Sequence, residues 1–202
     1  MAFTLPEGLA PEMYPLAWLV GRWHGEGVVG YPGIEETAFT QDVVVDHDGG
    51  PYLSYTSTIR LVVAPDDASA LTDDGDVAAA GEESPGAAAA ATDEDGPVWS
   101  TEQGYWRIPP ERPEGMGSDL HPVELLIADP SGHVAVYVGA TGNGRIDLVS
   151  DLIARTATGA EVTAGKRLYG LVQGELMWAH DLAAFGHELQ SYGSARLSRV
   201  LD

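Results

Sequence analysis

Short runs of alternating apolar and polar residues, cut by glycine and proline, recur along this chain at close and regular spacing. Successive side chains of a strand point to opposite faces, so such alternation marks a sheet with one buried face. The earliest run is residues 21–31, Gly-Arg-Trp-His-Gly-Glu-Gly-Val-Val-Gly-Tyr. Gly21, Trp23, Gly25 and Gly27 share one parity, which sets a large aromatic beside almost empty positions on a single face. Glycine inside a strand marks a bend or the close approach of another backbone, as the tightly curved first strand of a small barrel requires. Trp23 reads as core, so the stretch predicts architecture and no reaction. Before it, an extended lead-in over residues 1–13 leads to the apolar run Pro15–Val20, placed to close one end of the fold.

The same rhythm continues downstream. Residues 37–46 and 52–63 are rich in Val, Thr, Tyr and Ile, and His47-Asp-Gly-Gly-Pro51 between them is a strong hairpin connection. Strand character resumes over residues 98–108, and the proline-rich stretch 109–122 is a loop. Residues 123–128 and 133–139 form a second hairpin about Asp129–Gly132, and Gly142-Asn-Gly144 turns the chain into 145–156. Residues 165–172 and 175–184 join at Gln173-Gly174, and a last strand covers 191–200. About ten hairpin-linked strands and no long helix predict an all-β fold: one domain over 1–202, an antiparallel up-and-down barrel. Closure removes the edges, and a barrel of this size has room for a small apolar ligand.

Residues 64–97 differ in kind. They hold ten acidic residues, no Lys or Arg, and an alanine run over 87–91. Mutual repulsion and the lack of core-forming side chains predict a disordered, unpaired loop inserted between two strands. Over the whole chain 31 acids face 10 basic residues, which disfavours nucleic acid and anionic membrane as partners. With no cysteine there is no disulfide framework, thiolate metal site or Cys nucleophile. The N-terminal residues lack the basic and apolar regions of a secretion signal, so the expected location is the cytoplasm.

The histidines are His24, His47, His121, His133, His180 and His187, and no two stand at a metal-ligand spacing. His47, His121 and His133 fall in or beside predicted turns, and His180 reads as a half-buried strand residue. No Ser-His-Asp or paired-carboxylate arrangement follows from spacing. Gly142-x-Gly144 opens no helix and is a hairpin turn, not a phosphate loop.

The motif Gly21-x-Trp23-x-Gly25-x-Gly27, with Pro15-Leu-Ala-Trp18 before it and Tyr31-Pro32 after it, resembles the nitrobindins. The likeness extends to Gly104-Tyr-Trp-Arg107, Val136-Tyr-Val-Gly139, the stretch 161–170, Leu182-Ala-Ala-Phe-Gly186 and Ser194-Ala-Arg-Leu197. The resemblance implies a ten-stranded barrel of the lipocalin or fatty-acid-binding-protein type, holding haem b through one histidine, binding nitric oxide in the ferric state and isomerising peroxynitrite to nitrate. Arg22, His24 and Glu26 fill the motif's variable positions. Where the family places its axial histidine this chain has Tyr192, followed by Gly193, and where members carry a haem-contacting threonine it has Gly33. Tyrosinate ligates ferric haem elsewhere, but a phenol ionises near pH 10. Arg196, four residues on and about 13 Å along a strand, is too far to assist. Tyr192 is thus either a residue filling a cavity mouth or a substitute ligand. His187, beside a turn, is the other substitute. The expected function is a nitrobindin-like pocket protein with no haem cofactor and a small apolar ligand. The alternative is a haem b protein ligated by Tyr192 or His187.

Overall fold

Ten strands follow one another in a computed structural model that describes residues 5–62 and 96–201. They are β1 (Gly21–Tyr31), β2 (Ile34–Asp46), β3 (Leu53–Leu61), β4 (Val98–Arg107), β5 (His121–Asp129), β6 (His133–Gly142), β7 (Arg145–Arg155), β8 (Val162–Val172), β9 (Glu175–Ala184) and β10 (Gln190–Val200). Each is antiparallel to its neighbour in sequence, and β1 closes on β10. The closed up-and-down barrel expected from the turn spacing is therefore the fold. Among the described residues no helix is long and apolar enough to cross a membrane.

The turn chemistry behaves as the residue types dictate. Asn143 and Gly144 both take positive φ (52° and 70°) between β6 and β7, and Gln173 and Gly174 do the same between β8 and β9, the backbone twist that two-residue hairpins favour. The expectation for 64–97 lies outside the described residues except at its end, where the Leu61 amide donates to the Pro97 carbonyl at 3.0 Å. Pairing of β3 with the incoming chain therefore begins one residue before β4.

One end of the barrel is sealed. Pro11–Leu19 is a 3-10 helix, where an extended lead-in to residue 13 is expected from Pro6 and Pro11. Proline at the first helical position lacks only an amide that would be unpaired there, so Pro11 starts this turn instead of preventing it. The helix drops Met13, Leu16 and Leu19 into the barrel end, each at most 1% exposed, against Trp23, Leu53, Trp106 and Leu197. Trp23 is 1% exposed, and its indole N–H donates to the Leu19 carbonyl at 2.8 Å. The Arg199 guanidinium lies 4.1 Å over the Trp23 ring and donates to the Trp18 carbonyl at 2.8 Å and to that of Val20. The last strand thus fastens the helix whose carbonyls would otherwise lack partners.

The glycines of β1 make this packing possible. A Cβ on Gly25 would sit 2.2 Å from the Arg196 carbonyl oxygen, and one on Gly27 would sit 2.3 Å from both the Phe39 ring and the Ser194 oxygen. Neither position admits a side chain without backbone movement. Arg22 and Glu26 face solvent, and His24 pairs with Asp42 at 2.9 Å on the outer surface. None of residues 21–27 lines the cavity.

Candidate functional site

Away from the sealed end the interior is open. A cavity of about 530 Å³ runs from Leu19 at the floor to Ile34, Trp99, Pro130, Phe185 and Tyr192 at the far end. Sites of this size and largely apolar lining are typical of small-molecule pockets.

At mid-depth the wall carries a belt of polar side chains in two hydrogen-bonded groups. The Trp178 indole donates to Gln41 Oε1 at 2.7 Å, and Gln41 Nε2 donates to Ser57 Oγ at 2.8 Å. Beside Ser57 on the same strand, the Tyr55 hydroxyl donates to Glu102 Oε2 at 3.3 Å. Arg167 grips both Glu102 oxygens, Nη1 to Oε2 at 2.9 Å and Nη2 to Oε1, and Nη1 also donates to the Tyr169 hydroxyl at 3.2 Å. Its guanidinium lies 5.0 Å from the Tyr137 ring centroid. Burial opposes the Arg167 charge most strongly, but the facing Glu102 carboxylate together with Tyr169 and Tyr137 outweighs it and holds the pKa well above the usual arginine range. Burial likewise pushes the Tyr55 and Tyr169 phenols up, so both stay protonated.

His180 stands beside this belt, 9% exposed. Burial, and then the charge of Arg167, holds its imidazole well below the usual histidine range, so it is neutral near pH 7. Its Nε2 is buried without a hydrogen-bond partner among the described residues, against Gly165 and the Tyr137 hydroxyl. His180 is thus more deeply buried than its sequence implies.

Tyr192 sits at a bulge. The β9 pairing jumps from Ser191↔Asp181 to Gly193↔His180, and the extra residue turns the Tyr192 ring inwards, edge-on to His180 at 5.6 Å and to Tyr31 at 6.2 Å. Its hydroxyl accepts from the Trp99 indole at 2.9 Å. Three strands (β1, β2 and β3) separate β10 from β4 on this side of the barrel, so that bond bridges the mouth. Burial pushes the Tyr192 phenol up, and the Trp99 N–H only partly offsets this. Arg167, the nearby cation, is committed to Glu102. At Gly193 an added Cβ would meet Val28 O at 3.2 Å and the Trp178 ring at 3.6 Å.

The other expected sites lie elsewhere. His187 is exposed outside the cavity, with its ring 5.9 Å from that of Tyr31. Gly33 is an exposed turn residue at φ 86° with nothing within 4 Å of an added Cβ. A threonine there would be strained. Arg196 points outwards and pairs with Glu175. His133, beside a predicted turn, is buried at the cavity's upper wall and bonds to the Ala160 carbonyl at 2.8 Å. No group of three or more His, Asp or Glu side chains among the described residues is arranged to hold a metal ion. Tyr192 is not a phenolate. His180, the imidazole at the cavity whose Nε2 lacks a hydrogen-bond partner among the described residues, keeps that atom buried against Gly165. Neither therefore offers iron a ready axial bond in this arrangement.

Strand parity is the signal that reveals the missed residues. Glu102 shares the face of Gly104 and Trp106, and Arg167 that of Gly165 and Tyr169, and both are set inwards by that rule.

Comparison with known proteins agrees with this architecture. The profile of the THAP4-like, heme-binding beta-barrel domain matches residues 12–199. A ferric nitrobindin-like protein of Beutenbergia cavernae is 46% identical, with 99% of this chain and 100% of that protein aligned. A peroxynitrite isomerase of Parafrankia sp. (strain EAN1pec) is 38% identical over 95% of this chain and 81% of its own. The crystal structure of Rv2717c from M. tuberculosis superposes with a TM-score of 0.69 at 30% identity, covering 96% of this chain and 99% of that one. The chain belongs to the THAP4-like, heme-binding β-barrel family, the nitrobindins.

Proposed function

We propose that this chain is a pocket protein of the nitrobindin family that has given up the axial haem bond and holds a small, mostly apolar ligand inside its barrel. The observation that carries this reading is the setting of Tyr192, where the sequence resemblance places the family's ligand: a neutral phenol with its hydroxyl engaged by Trp99 across the mouth. An oxygen ligand to ferric iron must shed its proton, and this environment raises the cost of doing so. The cavity remains large enough for a guest and rich in aromatic side chains. No cofactor, nucleic acid or membrane is part of this reading, and the cytoplasm is its setting.

Haem titration tests it. The wild type should show weak binding without a sharp ligand-field-shifted Soret band, and no peroxynitrite isomerisation above free haem. Tyr192→His should raise haem affinity by at least about tenfold, the equivalent of 1.4 kcal/mol, with a histidine-ligated spectrum. Tight wild-type binding that Tyr192→Phe or His187→Ala abolishes would instead establish the alternative, in which the chain holds haem b through that residue as a nitric oxide-binding isomerase.

A further inference from the structure

We propose that the cavity selects uncharged ligands over anionic ones and that Glu102 is the residue that sets this preference. The guest is then a mostly apolar molecule whose polar group is a hydroxyl, carbonyl or similar neutral function. This deepens the pocket-protein reading and rests on it.

The charges lining the cavity are few. Among the described residues, apart from two histidines, they are Glu102, Asp129 and Arg167. Arg167 is 8% exposed and is the one cation among them. Alone, such a guanidinium at mid-depth would be a carboxylate anchor, since its planar fork matches two oxygens at once. Here the fork is already filled: Nη1 and Nη2 engage the two oxygens of Glu102, Nη1 reaches the Tyr169 hydroxyl as well, and the guanidinium lies against the Tyr137 ring. Of its five N–H donors three are engaged, Nε is buried without a partner, and a single Nη2–H is left over. An incoming carboxylate finds no free donor pair on Arg167 and must sit beside the Glu102 carboxylate, in a setting where like charges repel strongly. Asp129 adds a second negative charge at the mouth, its Oδ1 accepting from the Ser131 amide at 2.8 Å.

Neutral partners are available at the same depth. The Tyr169 hydroxyl accepts from Arg167 and keeps its own proton, and the Tyr137 hydroxyl faces His180 and Gly165. Both are positioned to bond a ligand oxygen without asking for a charge. The ion pair therefore serves as a neutral wall segment: it offers polarity to the guest while its net charge is zero.

The test compares two probes of one shape, decanol and decanoate, by displacement of the uncharged fluorophore N-phenylnaphthylamine at about pH 7.5, where decanoate is ionised. The wild type should bind decanol at least about tenfold more tightly than decanoate. Glu102→Gln frees the Arg167 fork while keeping the shape, and should raise decanoate affinity at least about tenfold with decanol changed less than about threefold. Equal or tighter decanoate binding by the wild type, a comparison needing no variant, overturns the proposal. So does a Glu102→Gln protein, folded by circular dichroism, whose decanol-to-decanoate ratio is unchanged. If the fluorophore and both probes fail to bind saturably, the pocket-protein reading falls, and the proposal with it.

Discussion

The two ends of this barrel are built on opposite principles. The sealed end is an apolar plug, in which Trp23, Leu16, Leu19, Leu53, Trp106 and Leu197 are nearly inaccessible and the indole of Trp23 finds the Leu19 carbonyl. Polar atoms there are few, and Arg199 lies along the rim, holding main-chain carbonyls. The cavity end buries an Arg–Glu pair, a neutral histidine and several phenols around open space. The difference teaches where stability and selectivity reside. Close-packed apolar contacts are directionless and additive in area. A buried ion pair contributes little net stability, because desolvation offsets attraction, but it fixes what charge a guest is allowed to carry.

The sharpest way to break this contrast is to truncate the plug. Trp23→Ala removes a fully buried indole and its hydrogen bond, and should cost about 3–5 kcal/mol of unfolding free energy in urea titrations. A loss below about 1 kcal/mol would mean that the plug does not anchor the barrel.

At the cavity end the expected result depends on which charges are removed together. Glu102→Leu strands a buried guanidinium and should cost about 3 kcal/mol, whereas Glu102→Leu combined with Arg167→Met should return to within about 1 kcal/mol of the wild type. A double-mutant cycle by denaturant unfolding measures this. Additive losses in the double variant would show that the pair stabilises the fold much as the plug does, and would erase the distinction.

The smallest effect concerns His180. Its folded pKa lies below the unfolded value of about 6.5, because burial disfavours the imidazolium. Below about pH 6.5 the unfolded chain therefore binds a proton that the folded protein refuses. Stability due to this group is intact above that pH and falls as pH drops towards the folded pKa, by up to about 1.4 kcal/mol per unit. His180→Phe should flatten the stability profile between about pH 6.5 and pH 5 relative to the wild type. Parallel profiles for the two proteins would mean that His180 titrates freely.

Much of the fold is legible in the sequence. Trp23 among same-parity glycines marked an inward, curved strand, and the Gly144 and Gly174 turns marked hairpins, because each depends on sterics within a few residues. The 3-10 helix at Pro11 was not legible: Pro6 and Pro11 read equally well as extended chain, and the helix forms because its apolar side chains have a barrel end to fill. Tyr192 was identified through family likeness, and its bulge through neither likeness nor pattern. The deep burial of His180 was missed because a lone histidine in a strand carries no local mark of its surroundings.

The chain's own alternation and turn chemistry determined ten strands and the face each buries, since these are decided by neighbours in sequence. What only the tertiary structure decided is who meets across the barrel. Glu102 and Arg167 stand 65 residues apart, and Trp99 and Tyr192 stand 93 apart. Parity sends each side chain inwards, but the register accumulated over ten pairings sets its height and bearing, and with them the contacts that shape the cavity's chemistry.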